Sequence, residues 1–372
     1  MRKKRVLVVT GTRAEYGLLH PVVKEIQASR SLVLRLLVTG MHTQKKYGHT
    51  IDEIKKHVPI SCTVAVRDDA SMLECLADEI KGISAYCEKE KPDIVLVSAD
   101  RDEAFAAAIV AGHLGIPVAH LSGGDATGPV VDDLIRNAIT KFSHVHFPLT
   151  KKSAQRLIKM GEEKWRIHPF GTTAFDDVDP KSLQSRTQLA QELHLDALKK
   201  WILFIQHPAA LEGTPIEKQI RESLSALSQI DSETIVIYPN SDTGSKVFIA
   251  AIKAYKSSAV AMSYPRHTFL SLLKNVDVMV GNSSAGIVEA GFFHTPVVNI
   301  GNREFGREHG SNVLHVPYER KAIARAIHRA LTPAFRKKAR HHHPYGSNYV
   351  SKNIVRTLEN LPINRKLMYK TL

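Results

Sequence analysis

Asp100, Asp125, Asp132 and Arg136 are the residues of this 372-residue chain whose types and spacing point to chemistry. Asp100 and Asp125 follow two short apolar runs, 93–98 and 116–121, of the kind a buried parallel strand needs. Asp132 and Asp133 come next, and Arg136 stands four residues after Asp132, on the same face of a helix. One acid after a strand is usually a helix cap. Several acids with an arginine on one rim repel each other, and keeping them together without a use would lower stability. Carboxylates gathered in this way push each other's pKa values apart, so one serves as proton acceptor and another as donor.

A second constellation lies in 277–289. The apolar run 278–280 reads as a buried strand, Gly281 as a tight turn, and 285–291 as the start of a helix. Asn282, Ser283 and Ser284 between them are helix-capping types. Unpaired amides and hydroxyls at a helix start make a seat for an anion. A well-capped helix with no ligand has the same local sequence, so the weight comes from the company it keeps. His207 follows the run 201–206, and Asn240, Asp242 and Ser245 follow 234–238. Arg307 follows 296–300, and Glu289 lies beyond the serines. In the first half, Arg13 follows the strand 5–10, where it faces either bound phosphate or solvent, and His42 follows the strand 32–39.

The elements that must position these groups alternate. Strands at 5–10, 32–39, 60–66, 93–98, 116–121 and 167–170 alternate with helices at 18–26, 71–88, 104–114 and 151–160. That spacing means an α/β fold with a parallel, doubly wound sheet. A polar stretch at 176–185 separates it from a second series, with strands at 201–206, 234–238, 277–280 and 296–300 and a helix at 216–230. We expect domains at 1–175 and 176–346, and a last segment, 347–372, whose helix packs back on the first domain. The first turn, 11–17, lacks the three-glycine dinucleotide fingerprint, so no nicotinamide or other cofactor is expected.

Composition narrows the classes further. The net charge of +14 fits nucleic acid, but the basic residues are scattered and no nucleic-acid-binding motif accompanies them. Neither a nucleic-acid partner nor a membrane is expected, since no apolar run reaches spanning length and no signal-peptide pattern precedes the first strand. Cys62, Cys75 and Cys87 form no CxxC pair, which points to a reducing cytoplasm and not to disulfides or zinc. Consecutive His341, His342 and His343 point in different directions, so no metal is expected there.

At residue level the motifs form a recognisable set. Gly11-Thr-Arg-Ala-Glu-Tyr-Gly, Val38-Thr-Gly-Met-His, Asp132-Asp-Leu-Ile-Arg-Asn-Ala-Ile-Thr-Lys, Gly281-Asn-Ser-Ser-Ala-Gly and Gly306-Arg resemble those of the hydrolysing UDP-N-acetylglucosamine 2-epimerases. The same set is similar to the UDP-2,4-diacetamido-sugar hydrolases of the legionaminic acid route. The resemblance implies a glycosyltransferase-B arrangement, two Rossmann-like domains facing across a cleft. It implies elimination of UDP through a 2-acetamidoglucal, then addition of water, giving UDP and an N-acetylmannosamine-type sugar for sialic acid synthesis. Carried over residue by residue, it puts Asp100, Asp125, Asp132, Arg136 and His42 around the sugar. It puts Arg13, His207, Asn240, Gly281, Ser283, Ser284, Glu289 and Arg307 around the UDP, where Asp242 and Ser245 share the rim and His207 also serves the chemistry. A homodimer is expected. Ala99 stands where many relatives have glycine, which reads as a packing detail, and Asp125 stands where many have glutamate, one methylene longer. A non-hydrolysing epimerase, a UDP-sugar glycosyltransferase and a non-catalytic nucleotide-sugar sensor are the alternatives.

Overall fold

A computed structural model describes residues 2–126, 131–240, 242–346 and 349–370. The alternation of apolar runs and amphipathic segments builds two compact units. Unit 1 comprises Met1–Asp125, Asp132–Asp177 and Ser347–Leu372, and unit 2 comprises Ala126–Val131 and Val178–Gly346.

Unit 1 carries strands β1 (Lys4–Thr10), β2 (Leu32–Val38), β3 (Cys62–Thr63), β4 (Ile94–Ser98), β5 (Val118–Leu121) and β6 (Val145–Phe147). They pair in parallel in the order β3-β2-β1-β4-β5-β6. Unit 2 carries β7 (Trp201–Ile205), β8 (Glu233–Ile237), β9 (Ala259–Ala261), β10 (Val278–Gly281), β11 (Val297–Ile300) and β12 (Val313–Val316). Their order, β12-β11-β10-β7-β8-β9, is the same topology, again all parallel. In each unit the winding reverses between the first and fourth strands, β1/β4 and β7/β10. Connections leave those neighbours toward opposite faces of the sheet, which opens a crevice at their carboxyl ends.

The strands are apolar because helices cover both faces of each sheet. In unit 1 the helix Arg13–Ala28 supplies Leu19, Val22, Val23 and Ile26 to one side, together with Ile354, Val355 and Leu358 from the C-terminal helix Val350–Asn360. Ala104, Ala107 and Ala111 of the helix Asp102–His113 supply the other side with Ile83 and Cys87.

The returning C-terminal segment is tied down by cations on its carbonyls. Lys4 Nζ donates to Glu359 O and Leu361 O, both at 2.7 Å, at the end of the helix. Arg166 donates to Leu367 O, at 2.7 Å, and to Lys366 O and Tyr369 O. Lys370 Nζ lies 2.7 Å from the buried Glu162 carboxylate, which also meets His146 at 3.0 Å. Burial works against ionising Glu162, yet the hydrogen bonds from His146 and Lys370 outweigh it and pull its pKa down to about 2.

The doubly wound α/β class is as expected from sequence, and four elements differ in detail. Two edge strands of unit 2, β9 and β12, escape the sequence reading because edge strands are short and half-exposed. The expected strand 60–66 pairs only at Cys62–Thr63, and 167–170 makes only one bridge, Ile167 to His146. Both lie at sheet edges, where one neighbour alone enforces pairing. Among the described residues no helix is long and apolar enough to cross a membrane.

Because Leu358 is fully buried between the C-terminal helix and the first helix of unit 1, Leu358→Ala should destabilise the chain by about 2–5 kcal/mol. Urea denaturation checks this, and an unchanged midpoint would show that the last helix adds nothing to unit 1.

Candidate active site

The acids of unit 1 are organised by one side chain beneath them. Arg136, in the helix Val131–Phe142, is 1% exposed. A guanidinium stays ionised, so its burial requires anionic or carbonyl partners. It donates to the Asp100 and Asp133 carboxylates, and Nη1 also reaches Asp125 O at 3.1 Å. Asp100 comes from the end of β4, Asp125 from the loop after β5, and Asp133 from the first turn of Arg136's own helix. One cation therefore joins three segments. The sequence spacing pairs Arg136 with Asp132 at i, i+4; the structure pairs it with Asp133 at i, i+3. Asp133 is thus a site residue that spacing alone passes over. Asp132, partly exposed in the same turn, stands beside it. Asp125 is buried, and its Oδ1 accepts from Ser153 Oγ at 2.7 Å. Arg136 thus holds the Asp100 and Asp133 carboxylates and the Asp125 carbonyl together.

Ala99, just before Asp100, has φ +60°. For a residue with a Cβ this left-handed conformation costs about 1–2 kcal/mol. The alanine-for-glycine difference is therefore a matter of backbone conformation and not of packing, a correction to the sequence reading. The peptide is held there from both sides: Ala99 N donates to Leu121 O at 2.9 Å, and Ala99 O accepts from His120 Nε2 at 2.8 Å.

Two other predicted groups of unit 1 have side-chain partners within the unit. His42 is 1% exposed, with Nδ1 2.7 Å from Thr50 Oγ1 and Nε2 3.3 Å from Thr10 Oγ1. Burial lowers its pKa to about 3, so the ring is neutral and supports the turn after β2. Arg13, half-buried at the start of its helix, forms an ion pair with Glu53.

Below the same turns lies a carboxyl cluster that sequence reasoning missed. Glu15 Oε2 accepts from Gly11 N at 3.0 Å and Thr10 Oγ1 at 3.2 Å, and Glu79 Oε1 accepts from Thr39 Oγ1 at 3.2 Å. Glu103 packs so tightly on Gly11 that a Cβ there would lie 2.3 Å from its carboxyl group. Burial, then repulsion from Glu103, raises Glu15 to about 8 and Glu79 to about 9. Burial raises Glu103 as well. The available signal was Glu15 three residues after Thr12, at capping distance.

In unit 2 the corresponding crevice is held by an amide. Asn282, fully buried, accepts from His207 N at 2.6 Å through Oδ1 and donates to His207 O at 2.8 Å through Nδ2. This bidentate pair fixes the ends of β7 and β10 against each other. His207 Nδ1 accepts from Asn240 N at 3.1 Å, so the neutral ring carries its proton on Nε2. Gly281, at φ +131°, lies where a Cβ would be 1.9 Å from Ile205 O, so no side chain fits. Ser283 caps the next helix, and Ser283 and Ser284 are the partly exposed residues in the otherwise buried stretch 281–290. That helix is only Ser284–Val288 before a 3-10 turn, Ala290–Phe293. Its dipole is correspondingly small, and any anion seat consists of local amides and hydroxyls.

Arg303, absent from the sequence reading, is 7% exposed and donates to Asn282 O at 3.3 Å and to Glu304 at 2.8 Å. It lies 3.8 Å from Asp242, and Glu304 in turn lies 3.0 Å from Arg307 Nε. Asp242, Asn282, His207, Asn240 and Arg307 thereby belong to one network. Ser245 joins it through its amide, 2.9 Å from Asp242 O. Glu289 is instead ion-paired with Arg266. In the histidine tract, His343 Nε2 donates to Val288 O at 2.9 Å. Among the described residues no cluster of three His, Cys, Asp or Glu side chains is disposed to hold a metal ion.

Comparison with known proteins places these residues in context. Residues 24–359 match the model of a family described as UDP-N-acetylglucosamine 2-epimerase. A UDP-N,N'-diacetylbacillosamine 2-epimerase (hydrolyzing) from Legionella pneumophila is 36% identical, over 99% of this chain and 98% of its own. A UDP-N-acetylglucosamine 2-epimerase from Neisseria meningitidis is 34% identical over 88% of this chain and 87% of its own. A solved structure of a Neisseria meningitidis UDP-GlcNAc 2-epimerase bound to UDP-GlcNAc shares the fold, with a TM-score of 0.81 at 21% identity, over 95% of this chain and 99% of that one.

Two outcomes test the geometry without reference to activity. Ala99→Gly should stabilise the chain by about 1 kcal/mol, read by denaturation, because glycine adopts φ +60° without strain; destabilisation would contradict the strained turn. Glu15 and Glu79 keep protons in the folded state that the unfolded chain releases above pH ~4.5, so their contribution makes stability fall as pH rises toward 8–9. Glu79→Gln should flatten the decline of the thermal midpoint across that window, and an unchanged slope would show the cluster ionised.

Proposed function

Because the chain belongs to the UDP-N-acetylglucosamine 2-epimerase family, we propose that it hydrolyses a UDP-2-acetamido sugar to UDP and the free 2-epimeric sugar. The observation that carries the reading is the Arg136 clamp, which gathers Asp100, Asp125 and Asp133 beside Asp132 at the carboxyl ends of β4 and β5. Paired acids are what the chemistry requires. The C2–H of a 2-acetamido sugar is weakly acidic, so a carboxylate removes it as the C1–O bond to UDP breaks, leaving a 2-acetamidoglucal. A second carboxyl group then directs water to C1, while C2 takes a proton on the opposite face, which inverts that centre. Asp100, Asp125 and Asp132 are the groups for these transfers, and Arg136 and Asp133 set their positions.

Unit 2 takes the diphosphate. The Ser283 and Ser284 hydroxyls, neighbouring amides and the Nε2–H of His207 stabilise the charge that grows on departing UDP, with Arg307 as the cation. Asn240, Asp242, Ser245 and Glu289 serve the nucleoside side, Asp242 and Ser245 through the Arg303 network. Water, and not returning UDP, completes the reaction in this reading; the Legionella relative, matched end to end, bears the name of a hydrolysing enzyme. The same match favours a sugar with a 4-acetamido group over UDP-N-acetylglucosamine. The unpaired cysteines fit a reducing compartment.

Phosphorus NMR of the protein with each UDP-sugar tests this. Stoichiometric free UDP, faster from the 4-acetamido-4,6-dideoxy substrate, is expected, and conversion to a UDP-linked epimer would overturn hydrolysis. Asp100→Asn and Asp132→Asn should each lose about 10²–10⁴-fold in kcat while still binding UDP. Ser284→Ala should weaken UDP binding by about 1 kcal/mol in calorimetry, and unchanged affinity would remove the serine turn from the diphosphate site.

A further inference from the structure

His120 belongs to none of the groups so far given a chemical role, yet it touches every segment that carries an acid. It sits in β5 and is fully buried. Its Nε2–H donates to Ala99 O at 2.8 Å, the carbonyl of the peptide that leads into Asp100. With Nε2 donating, Nδ1 of the neutral ring accepts, and Thr140 Oγ1 lies 3.4 Å from it. Thr140, also fully buried, is one helical turn beyond Arg136. A Cβ on Gly123 would lie 2.8 Å from His120 Nδ1, so the loop that runs on to Asp125 lies directly against the ring. One imidazole thus reaches the Asp100 turn, the Asp125 loop and the Arg136 helix. Burial lowers its pKa to about 3, which keeps the Nε2–H tautomer through the neutral range.

The strained residue gives this contact its consequence. Ala99 at φ +60° relaxes toward extended backbone when nothing holds it, and that rotation carries the Asp100 carboxylate away from Arg136. Leu121 O holds the Ala99 amide, and His120 holds the carbonyl of the same residue. We propose that His120 is a positioning residue for the reaction: its Nε2–H locks the Ala99–Asp100 peptide so that Asp100 meets the sugar in one orientation. The ring reaches no solvent, so it is not itself a catalytic residue. The inference rests on the hydrolytic reading given above and names the device that orients its acids.

Four variants test it in the full chain: His120→Leu, which removes the donor at similar volume; His120→Gln, whose Nε2 occupies nearly the same place; Ala99→Gly; and His120→Leu with Ala99→Gly. For UDP release, His120→Leu should lower kcat about 100-fold with KM changed less than about 3-fold. His120→Gln should recover at least about 10-fold of that loss. Glycine at Ala99 adopts the left-handed conformation unaided, so the double variant should recover about 10-fold over His120→Leu. A kcat near wild type in His120→Leu overturns the proposal. So does a loss that neither glutamine nor the glycine repairs, because a packing role alone gives that pattern. If His120→Leu does not fold, His120→Asn, whose shorter amide does not reach Ala99 O, takes its place: a lowered kcat at wild-type KM supports the role, and a wild-type kcat overturns it. Should the wild-type protein release no UDP, the hydrolytic reading fails by itself. The positional claim then stands or falls on denaturation midpoints of the same four variants, non-additive if His120 holds the turn and additive if it does not.

Discussion

A buried guanidinium facing more than one carboxylate is the constraint on which unit 1 depends. Arg136 is removed from water and balanced by Asp100 and Asp133, with the Asp125 carbonyl on the same nitrogen as Asp133. Its planar fork fixes directions as well as charge, which a lysine ammonium does not. The acids come from two strand ends and one helix, so the cation converts three independent segments into one rigid rim. Without it, two partly buried carboxylates would lie close together with no counter-charge between them, which destabilises a fold. Repulsion among acids is the ordinary objection to such a site, and Arg136 answers it from beneath, leaving Asp132 partly exposed above.

Unit 2 solves the same geometric problem with neutral groups. Its sheet has the same strand order, and the pair β7/β10 stands where β1/β4 stand in unit 1. There the Asn282 amide joins the two strand ends through both backbone groups of His207, and Arg303 holds the carbonyl of Asn282. Gly281 brings β10 close enough to β7 for this to happen. A site meant for an anion gains from hydrogen-bond donors already oriented by the fold, since they need no reorganisation when charge arrives. One topology used twice thus presents acids in one unit and donors in the other.

The fold was legible because buried parallel strands are continuous apolar runs, and β1, β4, β7 and β10 read as such in the sequence. Edge strands β9 and β12 were not, because half-exposed residues such as Val260 and His315 break the pattern. Candidate site residues were legible as polar types at strand ends. What each touches was not: Arg136 faces inward to Asp133, His42 is closed off by two threonine hydroxyls, and Glu289 pairs with Arg266. These are long-range choices among equivalent partners, which local spacing does not encode. Asn282 and Arg303 carry the clearest lesson. Their side chains position backbone, and a reading that searches for reactive groups passes over residues whose task is to hold other residues still. Ala99 shows the reverse, a residue that looks trivial in sequence and sets a strained φ directly before Asp100.

The central claim is that the buried cation keeps the acids in working order without touching the nucleotide. Steady-state kinetics of Arg136→Lys, with calorimetric titration of UDP on the same preparation, tests it most directly. The account predicts kcat lowered by at least about 100-fold, consistent with misplaced proton-transfer groups, alongside UDP affinity equal to that of wild type. Turnover near wild type would contradict it, since a lysine there cannot bridge the same carboxylates.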